Sequence, residues 1–229
     1  MANFVVTTNV DENDAGATVN ASGGTGLSLR EAIALANANA DASIISFANG
    51  VGEAFENDAL IRLTQGDLDI TQALTIDGST AGGEVVITGD ANDDDTTIGM
   101  SDITDVAASF GGAAGAMDDQ LDDNSRVINV LSDTATTLIG LTITGGRTTS
   151  FFDFGGGVYS NGDITLINTT VSGNSTTGTA SFGGGVFGNG DITLINTTVS
   201  GNSTAGSNAN GGGVSSGGIF NGSGGITLT

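Results

Sequence analysis

The chain of 229 residues contains no cysteine, histidine, proline or tryptophan, and its four cationic side chains are all arginine. Without cysteine it forms no disulfide, and without thiolate or imidazole ligands it has no zinc-type metal site. The same absences exclude a histidine-containing catalytic triad, a cysteine nucleophile and a lysine Schiff base. What remains for chemistry is oxygen: hydroxyls, amides and carboxylates.

The charge balance is strongly acidic, with 26 carboxylates against four arginines and a formal net charge of −22. Four cations cannot neutralise a phosphate backbone, so nucleic acid is not an expected partner. No apolar run approaches the roughly 18 residues of a membrane-spanning helix, so no membrane span is predicted. The first residues lack the basic and apolar regions of a signal peptide. Either the protein is cytoplasmic or its export signal lies elsewhere. Its acidity and its missing cysteines fit a secreted bacterial protein, so we expect an extracellular or cell-surface location reached by a signal-peptide-independent, type I-like route.

An internal repeat is the strongest signal in the sequence. Residues 161–176 are identical to residues 189–204 at all sixteen positions, which gives an offset of 28 residues. A third copy begins at Gly211, and a more divergent copy begins near Thr137. A period of this length indicates a solenoid, a propeller or an array.

The content of the repeat favours a solenoid of strands. Ile164 and Leu166 alternate with polar residues in the period of a β-strand, and Asn161-Gly162 is a tight-turn pair. No segment of the repeat has a helical period, and a propeller blade needs about 40 residues. The sequence therefore predicts an all-β parallel β-helix with about 28 residues and three short strands per coil.

In such a fold, equivalent residues of neighbouring coils lie above one another. Four apolar stacks are predicted: Ile164, Ile192 and Ile226; Leu166, Leu194 and Leu228; Ile143, Val171 and Val199; and Val158, Val186 and Val214. Two asparagine pairs also repeat at this offset, Asn168 with Asn196 and Asn174 with Asn202. They form either amide ladders or turns in which asparagine accepts a left-handed conformation.

The first half of the chain carries an N-terminal amphipathic helix, predicted over residues 28–37. Ser28 and Glu31 have the spacing of a capping box, and Arg30 is interpreted as a cap arginine that pairs with acids or carbonyls. Such a helix would cover the exposed end of the solenoid. Strands are predicted at residues 44–47, 60–63, 74–76, 85–88 and 127–131.

The sequence predicts two regions in the chain. Residues 1–58 are expected to form an N-terminal strand, the helix cap and the first coils. Residues 59–229 are expected to form the parallel β-helix, with an acidic insertion at about 91–124 and regular repeats from about 137.

Two short motifs resemble those of known proteins. The segment 26–33, Gly-Leu-Ser-Leu-Arg-Glu-Ala-Ile, resembles the Cys-Ser-Leu-Arg-x-Ala-Ile motif of large bacterial secreted proteins with parallel β-helix repeats, with Leu27 in place of the cysteine. The Gly-Gly-Gly-Val and Val-Ser-Gly-Asn segments are similar to the repeats of polymorphic outer-membrane proteins, with valine where those have phenylalanine. The resemblance implies a right-handed β-helix, export, and a role in adhesion, biofilm or surface layers.

Calcium is the metal that the carboxylates would select. Asp90, Asn92 and Asp94 have oxygen ligands at positions 1, 3 and 5 of a calcium loop, but the glycine and the closing glutamate of an EF-hand are missing. Asp163 and Asp191 occupy equivalent positions in adjacent coils, where a bridging calcium would relieve their repulsion. The alternatives are a solvated acidic insertion for the first set and two hydrated, outward-facing carboxylates for the second.

A structural or adhesive role is predicted, and no catalytic residue is assigned. The expected partners are a second copy of the chain, stacked end to end, or a cell-surface or matrix polysaccharide. The chain stops at residues 226–229 inside a coil, which predicts either a piece of a longer protein or an open end that stacks head to tail into a filament. The alternative function is a polysaccharide lyase or glycoside hydrolase, but near-identical coils do not provide the unique site that an enzyme needs.

Overall fold

The computed structural model describes residues 1–14, 24–91, 125–217 and 224–229. Within these ranges the chain consists mostly of short parallel β-strands, with one α-helix and one 3-10 helix. The strands form four separate parallel sheets, here called sheets I to IV. The fold is therefore β-rich and solenoid-like.

Each sheet is described by its strands in their spatial order. Sheet I contains β1 (Ala2–Val6), β2 (Ser43–Phe47), β5 (Leu74–Asp77), β8 (Thr136–Ile139), β12 (Ile164–Ile167), β16 (Ile192–Ile195) and β20 (Ile226–Leu228). Sheet II contains β4 (Leu68–Ile70), β7 (Ile128–Val130), β11 (Val158–Ser160), β15 (Val186–Gly188) and β19 (Val214–Ser216). Sheet III contains β3 (Ala59–Arg62), β6 (Val85–Thr88), β9 (Leu141–Thr144), β13 (Thr170–Ser172) and β17 (Thr198–Ser200). Sheet IV contains β10 (Arg147–Thr148), β14 (Ser175–Thr176) and β18 (Ser203–Thr204).

From β7 onwards the chain visits the sheets in a fixed order, II, I, III and IV, and then returns to sheet II. Each regular repeat thus contains four strands rather than the three predicted, because a two-residue segment before the glycine run also pairs in parallel. The acidic insertion separates β6 from β7 along the chain, in the place where later repeats have a strand of sheet IV. Residues 92–124 of that insertion lie outside the described part of the structure.

The predicted 28-residue register is confirmed in three of the sheets. Ile164 pairs with Ile192 in sheet I, Val158 with Val186 in sheet II, and Val171 with Val199 in sheet III. Identical segments therefore lie side by side, and each backbone group meets its own equivalent one repeat away. This pairing explains why the sequence can repeat almost unchanged.

Inward-facing aliphatic side chains form the core. The residues of β12 and β16 alternate between buried and half-buried, and Ile164, Leu166, Ile192 and Leu194 lie in one continuous apolar cluster. Full burial of such a side chain stabilises the fold by about 1.5–3 kcal/mol. Ile226 and Leu228, which end two of the predicted stacks, are exposed because β20 is the edge strand of sheet I, whereas Val199 and Val214, which end the other two, are half-buried.

The α-helix α1 (Leu29–Asn37) packs against β1, β2 and β4, as predicted for a cap. Ser28 is its N-cap: the Ser28 hydroxyl accepts from the Glu31 backbone N–H, and Glu31 accepts in return from the Ser28 N–H at 2.9 Å. This is the predicted capping box. Among the described residues no helix is long and apolar enough to span a membrane.

Arg30 joins the cap to the first strands of the solenoid. Its guanidinium pairs with Asp11 at 2.7 Å and donates to the carbonyl oxygens of Gly66 and Asp67 at 2.7 and 2.8 Å. The interpretation of Arg30 as a cap arginine that pairs with an acid and with carbonyls is confirmed.

One of the two asparagine pairs forms an amide ladder. The buried Asn174 side chain donates to Asn202 Oδ1 at 3.0 Å and to the Ile143 carbonyl at 3.0 Å, and it accepts from the Gly146 N–H at 2.9 Å. Asn202 repeats the pattern by donating to the Val171 carbonyl at 2.8 Å. The ladder thus satisfies backbone groups at the turn that follows sheet III.

The other asparagine pair, Asn168 and Asn196, forms left-handed turns, which is the second of the two predicted alternatives. Asn168 and Asn196 have φ angles of 51° and 48°, in the left-handed region, at the corner between sheets I and III. Gly140 occupies the same corner one repeat earlier, with φ of 61°. Asparagine is used here because it tolerates this conformation better than most residues that carry a Cβ.

These two pairs predict different sensitivities to substitution. We expect Asn174→Ala to lower the free energy of unfolding by about 2–4 kcal/mol, because it leaves buried backbone groups without partners. Asn168→Gly is the matched control and should change stability by less than about 1 kcal/mol, since glycine accepts a positive φ. Urea unfolding measures both, and equal losses would contradict the assignment.

Candidate functional site

The outer face of sheet II carries a column of polar and aromatic side chains. Register pairing aligns, from the capped end onwards, Asp69, Asn129, Tyr159, Phe187 and Ser215. The Asn129 amide donates to Asp69 Oδ1 at 2.7 Å, so the polar end of the column is itself hydrogen-bonded. The aromatic residues of this column differ from the inward-facing side chains of the regular repeats, which are aliphatic, as in Ile164 and Ile192.

Four aromatic rings stack along this face. The Tyr159 and Phe187 rings lie 6.0 Å apart with an interplanar angle of 6°, and Phe154 stacks on Phe187 at 4.7 Å and on Phe182 at 5.7 Å. Phe187 is only 1% exposed although it lies outside the main core cluster. The rings therefore form a second apolar cluster on the outside of the coil.

This cluster continues into solvent through Phe151 and Phe152. Their side chains are 64% and 44% exposed, and their rings meet edge to face with centroids 4.1 Å apart. Phe152 then approaches Phe154 at 6.3 Å. We call Phe151, Phe152, Phe154 and Tyr159 the aromatic patch.

The backbone at the patch is set by the repeat. Phe152 has φ of 57°, an unusual value for a bulky residue, but Ala180 and Asn208, one and two repeats later, have φ of 55° and 59°. The left-handed turn is thus a property of the coil. What is particular to this repeat is that the turn displays a phenyl ring.

Arg126 holds the loop beneath the patch. Its Nε donates to the carbonyl oxygens of Phe154 and Gly155 at 3.1 and 3.0 Å, and its two terminal nitrogens pair with Asp67 at 3.0 Å and with Asp153. The guanidinium carbon also lies 5.3 Å from the centroid of the Tyr159 ring, within cation–π distance. Each guanidinium nitrogen has a partner, so Arg126 is a fixed part of the framework.

Asp67 is the perturbed acid of this region. Burial raises the pKa of its carboxyl above the usual value, the positive charge of Arg126 opposes that rise, and Asp69 adds to it. Burial outweighs the attraction to Arg126, because it removes the carboxylate from water.

A small polar cleft lies between α1 and β4, next to Asp67. Its volume is about 180 Å³, and its polar lining consists of Asn13, Arg30, Asn37, Asp67 and Asp69. Asn37 closes one side by donating to the Asp69 carbonyl and by accepting from the Thr71 N–H, both at 2.8 Å. The cleft, the acids and the aromatic patch follow one another along the same side of the solenoid.

A hydrogen-bonded network borders the aromatic patch on its other side. Tyr159 donates its hydroxyl proton to Asn161 Oδ1 at 3.1 Å, and the Asn189 amide donates to Asn161 Oδ1 and to the Tyr159 oxygen at 2.9 and 3.0 Å. Asn161 and Asn189 thus form a further ladder at the predicted Asn-Gly turns. It fixes the Tyr159 ring in its stacked position.

The predicted calcium ligands are distributed over different places. Asp163 and Asp191 are exposed, and each accepts a backbone N–H of the next repeat: Asp191 N–H to Asp163 at 2.9 Å, and Gly225 N–H to Asp191 at 2.8 Å. Asp90 is buried beside Thr88, whereas Asn92 and Asp94 lie outside the described residues. In the described ranges no group of three or more acidic side chains is arranged for a metal, and calcium binding stays a prediction.

Sequence reasoning missed the aromatic patch and the Arg126 cluster. A signal for the stacked rings was present, since Phe154 and Phe182, and Tyr159 and Phe187, each lie 28 residues apart. No pattern pointed to Arg126, because its partners Asp67 and Asp153 are 59 and 27 residues away.

Comparison of the chain with protein-family models, with curated proteins and with solved structures gave no match. The site is therefore interpreted from its own geometry.

The raised pKa of Asp67 predicts a pH-dependent contribution to stability. An acid whose folded pKa lies above its unfolded value stabilises the fold below the unfolded pKa, and this contribution is lost as pH rises through the folded pKa. We expect the wild type to lose stability relative to Asp67→Asn as pH rises from below 3.8 to neutral. Chemical unfolding of both proteins across this interval measures the difference, and a gap that moves the other way would contradict the assignment.

Proposed function

We propose that the chain is a right-handed parallel β-helix that serves as a non-enzymatic structural and adhesive rod outside a bacterial cell, on its surface or in its matrix or biofilm. The observation that carries the proposal is the 28-residue register shared by sheets I to IV, in which near-identical segments pair with one another. Repetition of this kind builds length while keeping the same cross-section.

The right-handed sense is supported by a general rule of chain topology. Connections between parallel strands of one sheet are right-handed in about 98% of cases. Each repeat here leaves a sheet, passes through the other sheets and returns to pair in parallel with its own previous strand. The resemblance of residues 26–33 to the motif of secreted β-helix proteins supports the same hand and an extracellular location.

The adhesive part of the proposal is supported by the aromatic patch. A large apolar cluster that is exposed on a protein surface marks a site of interaction with another molecule. A cell-surface or matrix polysaccharide is the partner we propose, because aromatic rings and fixed amides are well suited to sugar rings and hydroxyls. Nucleic acid is disfavoured as a partner, because four arginines in an acidic protein cannot neutralise a phosphate backbone.

End-to-end association of two copies is the second part of the proposal. In β20 the side chains of Ile226 and Leu228 are exposed, whereas their equivalents Ile192 and Leu194 are buried. The opposite end of the solenoid carries α1 against β1 and β4. In the head-to-tail contact that we propose, the apolar edge of one copy meets the helical cap of the next.

A polysaccharide hydrolase remains the alternative function, and one observation favours it. Asp67 has a raised pKa, as a general acid requires, and it lies in a cleft with Asp69 nearby. Against this, Arg126 binds both Asp67 and Asp153 and so holds these two carboxylates in a structural cluster. Release of reducing ends from a polysaccharide panel, lost in Asp67→Asn, would support the enzyme and contradict the proposed function.

The rod proposal predicts an elongated particle that associates with concentration. We expect negative-stain images to show rods, and light scattering coupled to gel filtration to show a mass that increases with protein concentration. Leu228→Lys should reduce that increase, because it places a charge on the apolar edge, whereas Val51→Lys, at an exposed site in the loop between β2 and β3, should not. Compact particles would contradict the rod, and a constant monomer mass would contradict the association.

We also propose that calcium binds to the acidic residues, and this proposal leads to a separate prediction. If Asp90, Asn92 and Asp94 bind calcium, the melting temperature should rise with added Ca²⁺ and fall with a chelator, since a ligand that binds the folded state stabilises it. Asp94→Asn should remove that response, whereas Asp163→Asn should reduce it only if the coil carboxylates contribute. A melting temperature that changes neither with added Ca²⁺ nor with the chelator would contradict calcium binding.

A further inference from the structure

We propose that the aromatic patch binds the flat face of an uncharged β-1,4-linked polysaccharide. This inference rests on the adhesive function proposed above and names its ligand. The structure supports it through three observations on the same surface: rings that the fold does not require, hydrogen-bonding groups fixed beside them, and a negative charge around them.

The fold does not require aromatic rings at the patch. One repeat later the positions of Phe151 and Phe152 are occupied by Thr179 and Ala180, and Ala180 has nearly the same backbone conformation as Phe152, with φ of 55° against 57°. Two repeats later the same positions hold Ser207 and Asn208. The coil therefore closes equally well with small or polar residues, and the two exposed phenyl rings call for another explanation.

The rings and their polar neighbours suit a sugar chain. In a β-1,4-linked glucan or chitin the hydroxyl, amide and linking groups are equatorial, so both faces of each ring present C–H groups. Such faces stack on aromatic rings, which are large, apolar and electron-rich. Asp153 follows Phe152 directly, and the Tyr159 hydroxyl is held by Asn161 and Asn189, so polar groups for the equatorial substituents lie at both ends of the patch.

The charge around the patch selects an uncharged chain. Asp67, Asp69 and Asp153 lie along this side of the solenoid, and Arg126 is already bound to Asp67 and Asp153. With a net charge of −22, the protein repels a polyuronate or a sulfated glycan. A neutral chain has no such barrier, and its hydroxyls can donate to the carboxylates.

The experiment measures depletion of the full-length chain from calcium-free solution by amorphous cellulose, by chitin and by alginate coupled covalently to agarose beads. The test variant is the double substitution Phe151→Thr with Phe152→Ala, which copies the next repeat and is expected to fold. Val51→Thr is the matched control, because Val51 is an apolar side chain that is 96% exposed and lies outside the patch. Circular dichroism and urea unfolding confirm that both variants fold.

We expect the wild type and Val51→Thr to bind cellulose or chitin, and the double variant to bind about tenfold more weakly, since two aromatic contacts are removed. Equal binding by the folded double variant would overturn the inference, as would no binding of the wild type to either neutral polymer, or binding to alginate that is as tight. A change in the association of copies by the double variant, with no effect on cellulose or chitin, would also overturn it and assign the patch to self-contact. The rod and its concentration-dependent mass are measured without polysaccharide, so their failure is distinguishable from the failure of this inference.

Discussion

Parallel pairing between equivalent residues of successive repeats is the constraint on which the structure depends. Ile164 meets Ile192, Thr170 meets Thr198, and Ser175 meets Ser203, in three different sheets at the same offset. A one-residue slip in any strand would move its aliphatic side chains from the core to solvent, because strand side chains alternate. The register and the hydrophobic core therefore maintain each other, and the chain needs neither disulfides nor large aromatic core residues over most of its length.

The same repetition explains how polar residues stabilise the coil. Asn174 and Asn202, and Asn161 and Asn189, bond to one another because each lies one repeat from its equivalent. Asp163 and Asp191, which would repel if their carboxylates met, instead accept the N–H of the next repeat. Stacking thus turns a short turn sequence into a column of hydrogen bonds, and it places like charges where backbone donors offset them.

The candidate functional features lie in the parts of the chain that depart from the regular repeat. The first coils carry α1, Arg30 and the polar cleft, and the repeat that contains residues 151–160 carries the exposed phenyl rings and the Arg126 cluster. Later copies replace those rings with Thr179 and Ala180 and leave the coil unchanged. In the rod that we propose, the regular coils provide length, and the repeat that contains residues 151–160 provides the contacts with polysaccharide.

The repeat length, the core stacks, the capping box and many of the strands were predictable from the amino-acid sequence: the strands predicted at residues 44–47 and 85–88 are observed at Ser43–Phe47 and Val85–Thr88. They were predictable because local alternation and a 28-residue identity are properties of the chain alone. β4 and the two-residue strands of sheet IV were not predicted, since such short segments become strands only when a neighbouring coil supplies the hydrogen bonds. Which asparagines form a ladder and which form a corner became clear from the folded chain, as did the contact of Arg126 with Asp67 across 59 residues, because both depend on which residues a neighbouring coil brings close.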